Sequence, residues 1–333
     1  KEAIPGLLAN IHLRSMFDKL GANPSDFSRM EDLPVLPVQM FKYYDLSANV
    51  GVSRVLRSSG TTSGMPSRVP LSKRTAMNQT KGLNSILKHF LGDRRRPFIV
   101  IDHPGVNDPK REISARGAGV RGLSIYSKDT LYLLKEEGGR LVLDLEAVKR
   151  AKNLENAYVF GFTYIIWSVF MRLMDEEGIR MDLKGSVAFH SGGWKNLVHE
   201  KVTPSDFNNR LASIIGTEVR DIHDFYGMAE QTGAIFVECE MGHKHVPNFA
   251  QVIVRDPHSL EPLPPGQKGL IEVCSVLADS YYSNAILTED MGMLTGVDDC
   301  PCGRKGRHFV VLGRVEKAEV RGCGDTFREG SRS

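Results

Sequence analysis

Ser58-Ser59-Gly60-Thr61-Thr62-Ser63-Gly64-Met65-Pro66-Ser67 packs hydroxyls and glycines between a short apolar segment, Val52 to Leu56, and a helical period that starts at Lys73. Nucleotide phosphates need backbone amides that come close, which glycine permits, and hydroxyls that follow charge as it moves during transfer. A loop of this composition supplies both. It is not a Walker A loop, because the position five after Gly60 is Met65 and no Gly-Lys-Ser/Thr follows. A plain Ser/Thr/Gly linker would share the composition, but linkers rarely run so directly into a helix.

Working outward, compact apolar runs alternate with helical periods from Arg54 to Thr232, as in Pro97 to Asp102 and Lys73 to Leu91, which predicts α/β layers. Short strands are expected at Val219 to Tyr226, Gln251 to Arg255, Gly269 to Ser275 and His308 to Gly313, with a turn at Pro264-Pro265-Gly266. The first residues read as a helical lead-in broken by Pro24, Pro34 and Pro37. Gly117, Gly119 and Gly122 satisfy the dinucleotide fingerprint. The preceding Arg111 to Arg116 is polar, however, and no clear helix follows, so the pyrophosphate cradle of that motif is not expected.

Composition excludes several classes. Lys plus Arg number 43 against 40 Asp plus Glu, a net +3 that leaves no nucleic-acid footprint. The apolar stretch Tyr158 to Met171 is shorter than the roughly 20 residues of a membrane span. No secretory signal opens the chain, and the missing initiator Met suggests trimmed ends. Five cysteines are too few for a disulfide scaffold, which points to a reducing cytoplasm.

Asp224-Phe225-Tyr226-Gly227-Met228-Ala229-Glu230 closes an apolar strand with an aromatic, a glycine and a carboxylate. An aromatic face stacks on a base, glycine allows a tight turn, and a carboxylate holds Mg²⁺ near phosphates. The hydroxyl loop, this Tyr-Gly-x-x-Glu, Thr288-Glu289-Asp290 and Gly313-Arg314 follow the order of the adenylate-forming superfamily, which the chain resembles. Leu36-Pro37-Val38 before Phe41-Lys42, His190-Ser191-Gly192-Gly193-Trp194-Lys195 and Arg321-Gly322-Cys323 resemble a narrower family, the acyl-protein synthetases of bacterial fatty-acid reductase complexes, akin to phenylacetate-CoA ligases. The likeness runs over residues 34 to 325.

That resemblance implies ATP and Mg²⁺ as cofactors. Ser59, Gly60, Thr61, Thr62, Ser63 and Gly64 would cradle the phosphates; Gly192, Gly193 and Trp194 would border the adenine; Tyr226 would flank it with Gly227 and Met228. Glu230 would bind Mg²⁺, and Asp290 and Arg314 would hold the ribose hydroxyls by paired hydrogen bonds. Thr61, Glu230 and Cys323 are the expected catalytic groups, the last as the thiol that the family acylates. Two departures stand out. Ala229 replaces the superfamily's usual threonine, and the chain stops at Ser333 where most members continue into a domain that supplies a lysine. Lys195 or a lysine or arginine of the tail is the candidate to substitute for it.

Cys300-Pro301-Cys302-Gly303 and Cys239 with His243 and His245 suit a structural Zn²⁺, as in phenylacetate-CoA ligase relatives, with His245 preferred and His243 open. Buried free thiols are the alternative. Cys323 sits in a glycine frame beside Arg321, where a cation favours thiolate; Cys274 reads as core. Phe160, Phe162, Tyr164, Ile165 and Trp167 are candidates for an acyl pocket, although such runs are more often core.

The expected architecture is an α/β adenylate-forming, acyl-CoA synthetase-like large domain with a β-rich subdomain and a truncated C-terminal stub. Its parts are a helical lead-in (1–50), the core (51–232), the β-rich, zinc-stapled part (233–312), and a hinge and tail (313–333). The expected reaction is activation of a carboxylic acid to acyl-AMP with release of pyrophosphate, then acyl transfer to Cys323 and on to a protein partner. Coenzyme A or a carrier-protein thiol is the alternative acceptor, and a non-catalytic nucleotide-binding module the rival from another class.

Overall fold

The computed structural model describes residues 4–23, 26–57, 66–108, 114–192 and 202–315. It divides into two compact units: Leu87–Phe225, and the described residues on either side of that segment.

In the Leu87–Phe225 unit, strands run in the order Ile222–Tyr226, Val187–Ser191, Tyr158–Phe162, Arg96–Ile101, Ser127–Tyr132, every pairing parallel. The central strands Tyr158–Phe162 and Val187–Ser191 are buried at every residue, as strands covered on both faces must be. The apolar stretch from Tyr158 therefore splits into this strand and a helical segment with a π-turn at Ile166–Met171. From the Arg96–Ile101 strand the chain goes first to one neighbour and then across to the other, which makes the carboxyl end of that strand the topological switch point where α/β sheets take ligands. Asp102 follows it and forms a buried ion pair with Arg116.

Helix Pro204–Ile215 covers the sheet. Thr203 and Asp206 form a reciprocal capping box, proline starts the first turn, and Gly216 ends the helix at φ +69°. It buries Phe207, Leu211, Ile214 and Ile215, each worth about 1.5–3 kcal/mol in removed apolar surface. Contrary to expectation, the fingerprint glycines lie inside a helix, Ala115–Leu123, capped by Ser114. Their use is close packing: a Cβ on Gly117 would sit 2.3 Å from the Val106 carbonyl oxygen, and one on Gly119 3.0 Å from the Phe160 ring.

The other unit is built on an antiparallel sheet in the order Lys244–His245, Arg307–Arg314, Ile286–Val297, Lys268–Ser275, Ala250–Arg255. The 12-residue strand Ile286–Val297 is its centre, and Leu36–Pro37 joins it in parallel register, Leu36 opposite Ile286 and Pro37 opposite Leu287. Phe236, Val252, Val254, Ile271, Val273, Leu294 and Phe309 form the core on one face. Inside the sheet Arg255 and Glu272 form a buried ion pair. Helix Lys73–Leu91 starts where Ser72 Oγ and Thr75 Oγ1 both donate to Asp279 Oδ1, at 2.6 Å each. No helix among the described residues is long and apolar enough to cross a membrane.

Candidate active site

The hydroxyl loop residues Ser59, Gly60, Thr61, Thr62, Ser63 and Gly64, together with Gly193, Trp194, Lys195 and Cys323, lie outside the described residues. The remaining nucleotide residues fall into sets that can be built from the strands upward.

Antiparallel pairing puts Asp290 directly opposite Arg314. Arg314 Nε lies 3.3 Å from Asp290 Oδ1, and Tyr226 Oη donates to Asp290 Oδ2 at 2.8 Å. The Asp290 amide donates to Thr288 Oγ1 at 3.1 Å, and that hydroxyl donates to the Ile271 carbonyl at 2.7 Å, which fixes the strand's turn. The Tyr226 ring packs between Phe236 and Phe309, 6.1 and 6.2 Å away. Burial, and then the Asp290 carboxylate, pushes the Tyr226 phenol well above its ordinary pKa, so it stays a donor. Glu289, the neighbour of Asp290, lies 3.7 Å from Arg314 Nη1 and accepts from Gln39. Tyr226, Asp290 and Arg314, from three stretches of the chain, thus set one carboxylate beside one guanidinium, geometry suited to vicinal hydroxyls.

Glu230 occupies the short helical turn Ala229–Gln231 and is 4% exposed. Burial raises its pKa; a hydrogen bond from Ser67 and the charges of Lys42 and Arg314 work in the opposite direction. Its backbone is fixed from both sides: the Glu230 carbonyl accepts from Tyr281 Oη at 2.8 Å, and Gln231 Nε2 donates to the Ser283 carbonyl at 2.7 Å. A buried carboxylate calls for a cationic partner, and a divalent ion is one such partner, in competition with Lys42 and Arg314.

In the Leu87–Phe225 unit, Gly192 follows the Val187–Ser191 strand at φ +110°, where a Cβ would sit 2.7 Å from the Phe162 ring, so only glycine fits. Ser191 Oγ donates to the Phe225 carbonyl at 2.9 Å, and Thr163 Oγ1 joins the Ser191 carbonyl at 3.2 Å and His190 Nδ1 at 2.9 Å. Phe160, Phe162 and Ile165 are packed into this unit's core, and Trp167 stacks on Phe207 with the Arg210 guanidinium 4.7 Å from its ring.

Cys239, His245, Cys300 and Cys302 bring one ligand atom each to within 4.8 Å of one another. Two glycine turns make this possible: Gly242 at φ +75° donates to the Cys239 carbonyl, and Gly303 at φ +84° donates to that of Cys300. The Lys244–His245 strand then pairs with His308 and Phe309. Cys239 Sγ and Cys300 Sγ are 3.8 Å apart, and His245 Nε2 is 3.3 Å from Cys302 Sγ. Bonds of about 2.3 Å to sulfur and 2.0 Å to nitrogen around a tetrahedral Zn²⁺ set these separations at about 3.8 and 3.5 Å. The donor set fits the ion. Burial pushes the Cys239 thiol up to about 12. At Cys302 burial acts in the same sense but is outweighed by hydrogen bonds from Arg304 and the other thiols, so its pKa falls. His243 belongs to a second group with Cys300 and His308, its Nδ1 3.4 Å from Cys300 Sγ. Both nitrogens of His308 are already engaged, Nδ1 by Thr295 at 2.7 Å and Nε2 by Asp299 at 2.8 Å.

Sequence reasoning missed Gln39 and Tyr281, and it gave no separate role to Ser67 at the end of the hydroxyl segment. The only signal for Gln39 was its place after Leu36-Pro37-Val38, and no local pattern predicts a parallel pairing with a strand 250 positions on.

The family model described as "Acyl-protein synthetase, LuxE" matches residues 16–331. The long-chain-fatty-acid–luciferin-component ligase of Aliivibrio fischeri is 26% identical over 302 residues, 88% of this chain and 77% of that protein. The same-named protein of Vibrio harveyi is 29% identical over 40% of this chain and 34% of its own length. Among solved structures, 2-hydroxyisobutyryl-CoA ligase with 2-HIB-AMP and CoA superposes at TM-score 0.66 and 16% identity over 91% of this chain and 64% of its own. ATP-bound MatB from Rhodopseudomonas palustris gives 0.51 and 16% over 81% and 50%. These likenesses establish the adenylate-forming fold anticipated from the ordered motifs. With the family match spanning nearly the whole sequence, the chain belongs to the acyl-protein synthetase family and is a ligase that activates a carboxylic acid and passes the acyl group to a thiol.

Proposed function

We propose that this ligase takes a fatty acid as substrate and Mg·ATP as co-substrate, with Asp290 and Arg314 on the ribose hydroxyls, Tyr226 with Gly227 and Met228 along the adenine, and Glu230 on the magnesium. The observation that carries the reading is the Tyr226–Asp290–Arg314 cluster, in which a fixed carboxylate and a fixed guanidinium stand side by side. The fatty character of the acid rests on the name of the relatives.

The substrate carboxylate attacks the α-phosphorus of ATP, the bond to the bridging oxygen breaks, and pyrophosphate leaves with acyl-AMP formed. Magnesium supplies charge neutralisation on the phosphates when bound. The hydroxyl loop, with Thr61, and the Gly192–Trp194 stretch are assigned to the phosphates and the base by resemblance. In the second half a thiolate attacks the acyl carbonyl and AMP departs. Cys323 is the proposed thiol, with a protein partner accepting the acyl group from it; free coenzyme A is the alternative. Cys239, His245, Cys300 and Cys302 would hold one structural Zn²⁺ that ties two loops together and takes no part in the chemistry.

The test is pyrophosphate release with Mg·ATP across fatty, aromatic and hydroxy acids without acceptor, followed by intact mass. Release together with an acyl increment that disappears in Cys323→Ser supports both halves. Release without the increment moves the thiol to coenzyme A or a carrier, and no release with any acid overturns the adenylation assignment.

A further inference from the structure

Asp279, Ser280 and Tyr281 belong to no nucleotide motif, yet they bond to the residues around two of them. The strand Arg68–Ser72 and the helix Lys73–Leu91 follow the hydroxyl segment directly, and Ser67 at its end hydrogen-bonds the Glu230 carboxylate. Asp279 Oδ1 accepts from Ser72 Oγ and Thr75 Oγ1, and the Asp279 amide donates to Thr75 Oγ1 at 3.0 Å. Ser280 Oγ donates to the Pro70 carbonyl at 2.8 Å and accepts from the Ser72 amide at 3.2 Å. Tyr281 reaches Glu230: its Oη accepts from Gln79 Nε2 at 3.3 Å and donates to the Glu230 carbonyl at 2.8 Å, while its ring meets Phe41 edge-on, centroids 5.7 Å apart. Gly233 lets the chain after Glu230 close on the same helix, for a Cβ there would sit 2.6 Å from Gln79 Cα.

A hydrogen bond on the Glu230 carbonyl fixes the peptide plane that follows it, and so the direction in which the Glu230 side chain leaves the turn Ala229–Gln231. Gln79 fixes the phenol in turn, since a hydroxyl that accepts one bond keeps its single proton for the carbonyl. The same three residues thus tie the strand and helix behind the hydroxyl segment to the turn that carries Glu230. Both have to meet the phosphates of one nucleotide, where a displacement of about 1 Å is costly. We propose that the segment 279–281 is a positioning element for Mg·ATP, with Tyr281 the residue that aims Glu230 at the metal. The inference rests on the assignment of Glu230 to magnesium.

The experiment measures the affinity for α,β-methylene-ATP, which cannot release pyrophosphate, in saturating Mg²⁺ and in EDTA; the ratio of the two dissociation constants is the magnesium factor. Wild type, Tyr281→Phe, Gln79→Met and Glu230→Gln are compared, with thermal melts in parallel. Tyr281→Phe keeps the ring and loses the donor, and is expected to lower the magnesium factor about threefold to tenfold while the constant in EDTA stays near wild type. Gln79→Met, the milder change and the deciding one if Tyr281→Phe does not fold, is expected to lower it about twofold. Tyr281→Phe/Glu230→Gln is expected to bind no more weakly than Glu230→Gln alone, because two changes that act through one group do not add. A wild-type magnesium factor in Tyr281→Phe and Gln79→Met, an equal loss in EDTA, or additive effects in the double variant would each overturn the proposal. A Glu230→Gln that keeps the wild-type factor would remove the magnesium assignment itself, and the role of Tyr281 with it.

Discussion

Tyr226→Phe deletes one oxygen and leaves the ring packed against Phe236 and Phe309, so it separates the hydroxyl's contribution from that of the aromatic face. The hydroxyl donates to Asp290 Oδ2 at 2.8 Å, and hydrogen bonds to charged groups are worth about 1.5–3 kcal/mol. The lower end applies, because the Asp290 side chain is 18% exposed and water is able to take the vacant lone pair. What remains on the carboxylate is Arg314 Nε at 3.3 Å, so Asp290 is expected to rotate toward the arginine and away from the nucleotide. About 1.5 kcal/mol corresponds to roughly a tenfold rise in KM for ATP, with kcat at saturating ATP little changed because the chemistry is on the phosphates. Pyrophosphate release against ATP concentration measures both. Tyr226→Leu, which loses ring and hydroxyl together, is expected to do worse. If Tyr226→Phe matches wild type while Tyr226→Leu fails, the ring alone matters and the orientation of Asp290 owes nothing to the phenol.

Two further outcomes concern the cysteine cluster and the ion pairs of Asp175. Purified protein is expected to carry one zinc per chain by elemental analysis, and Cys300→Ser to lose it with a lower melting temperature; wild-type protein without zinc, all thiols titratable, would refute the cluster's assignment. Asp175 binds Arg210 and Arg180 at 2.6 Å each, and these partners, Arg210 first, lower its pKa. An acid with a depressed folded pKa stabilises the fold above its unfolded value of about 3.9 and loses that contribution as pH falls through the folded value. Urea midpoints followed downward from pH 5 should therefore drop more steeply for wild type than for Asp175→Asn, and parallel curves would contradict the linkage.

The sequence was most legible where one residue type has one use. Helix Lys73–Leu91 and the strands around Pro97, Gln251, Gly269 and His308 emerged from periodicity, because their apolar faces repeat locally. Cys300-Pro301-Cys302 and the Cys239–His245 hairpin were legible as partners because close-spaced thiols and imidazoles have few other purposes. The strand Ile286–Val297 was not, since Thr288, Glu289, Asp290, Gly292 and Gly296 interrupt its apolar pattern for reasons of chemistry and close packing. The fingerprint glycines were set aside as a phosphate cradle because of their polar context, but the helix that holds them, pressed against Val106 and Phe160, was not foreseen. Gln39 and Tyr281 bond to partners far away in sequence, and no single-sequence period carries such pairings.

The pairing of Asp290 with Arg314 is itself the product of an irregularity. From Gly292 to Leu294 the strand pairs regularly with Val311 to Phe309, which would place Gly313 opposite Asp290 if it continued. The register instead shifts between Met291 and Gly292, Leu312 becomes the extra residue, and Arg314 arrives opposite Asp290. Leu312 is 47% exposed, as a residue with no cross-strand partner is free to be. The shift needs close approach at Gly292, where a Cβ would lie 2.6 Å from Ile271 Cδ1 and 2.8 Å from the Val310 carbonyl oxygen. A side chain there can push Ile271 aside but has to move the backbone of Val310. Gly292→Ala is thus expected to destabilise the protein by about 1–3 kcal/mol through overpacking. It should also raise KM for ATP by more than an equally destabilising change in the other unit, such as Leu211→Ala, because it separates Asp290 from Arg314. Equal KM values for two variants of matched stability would mean that the bulge is a packing feature only, and that the carboxylate–guanidinium pair does not depend on it.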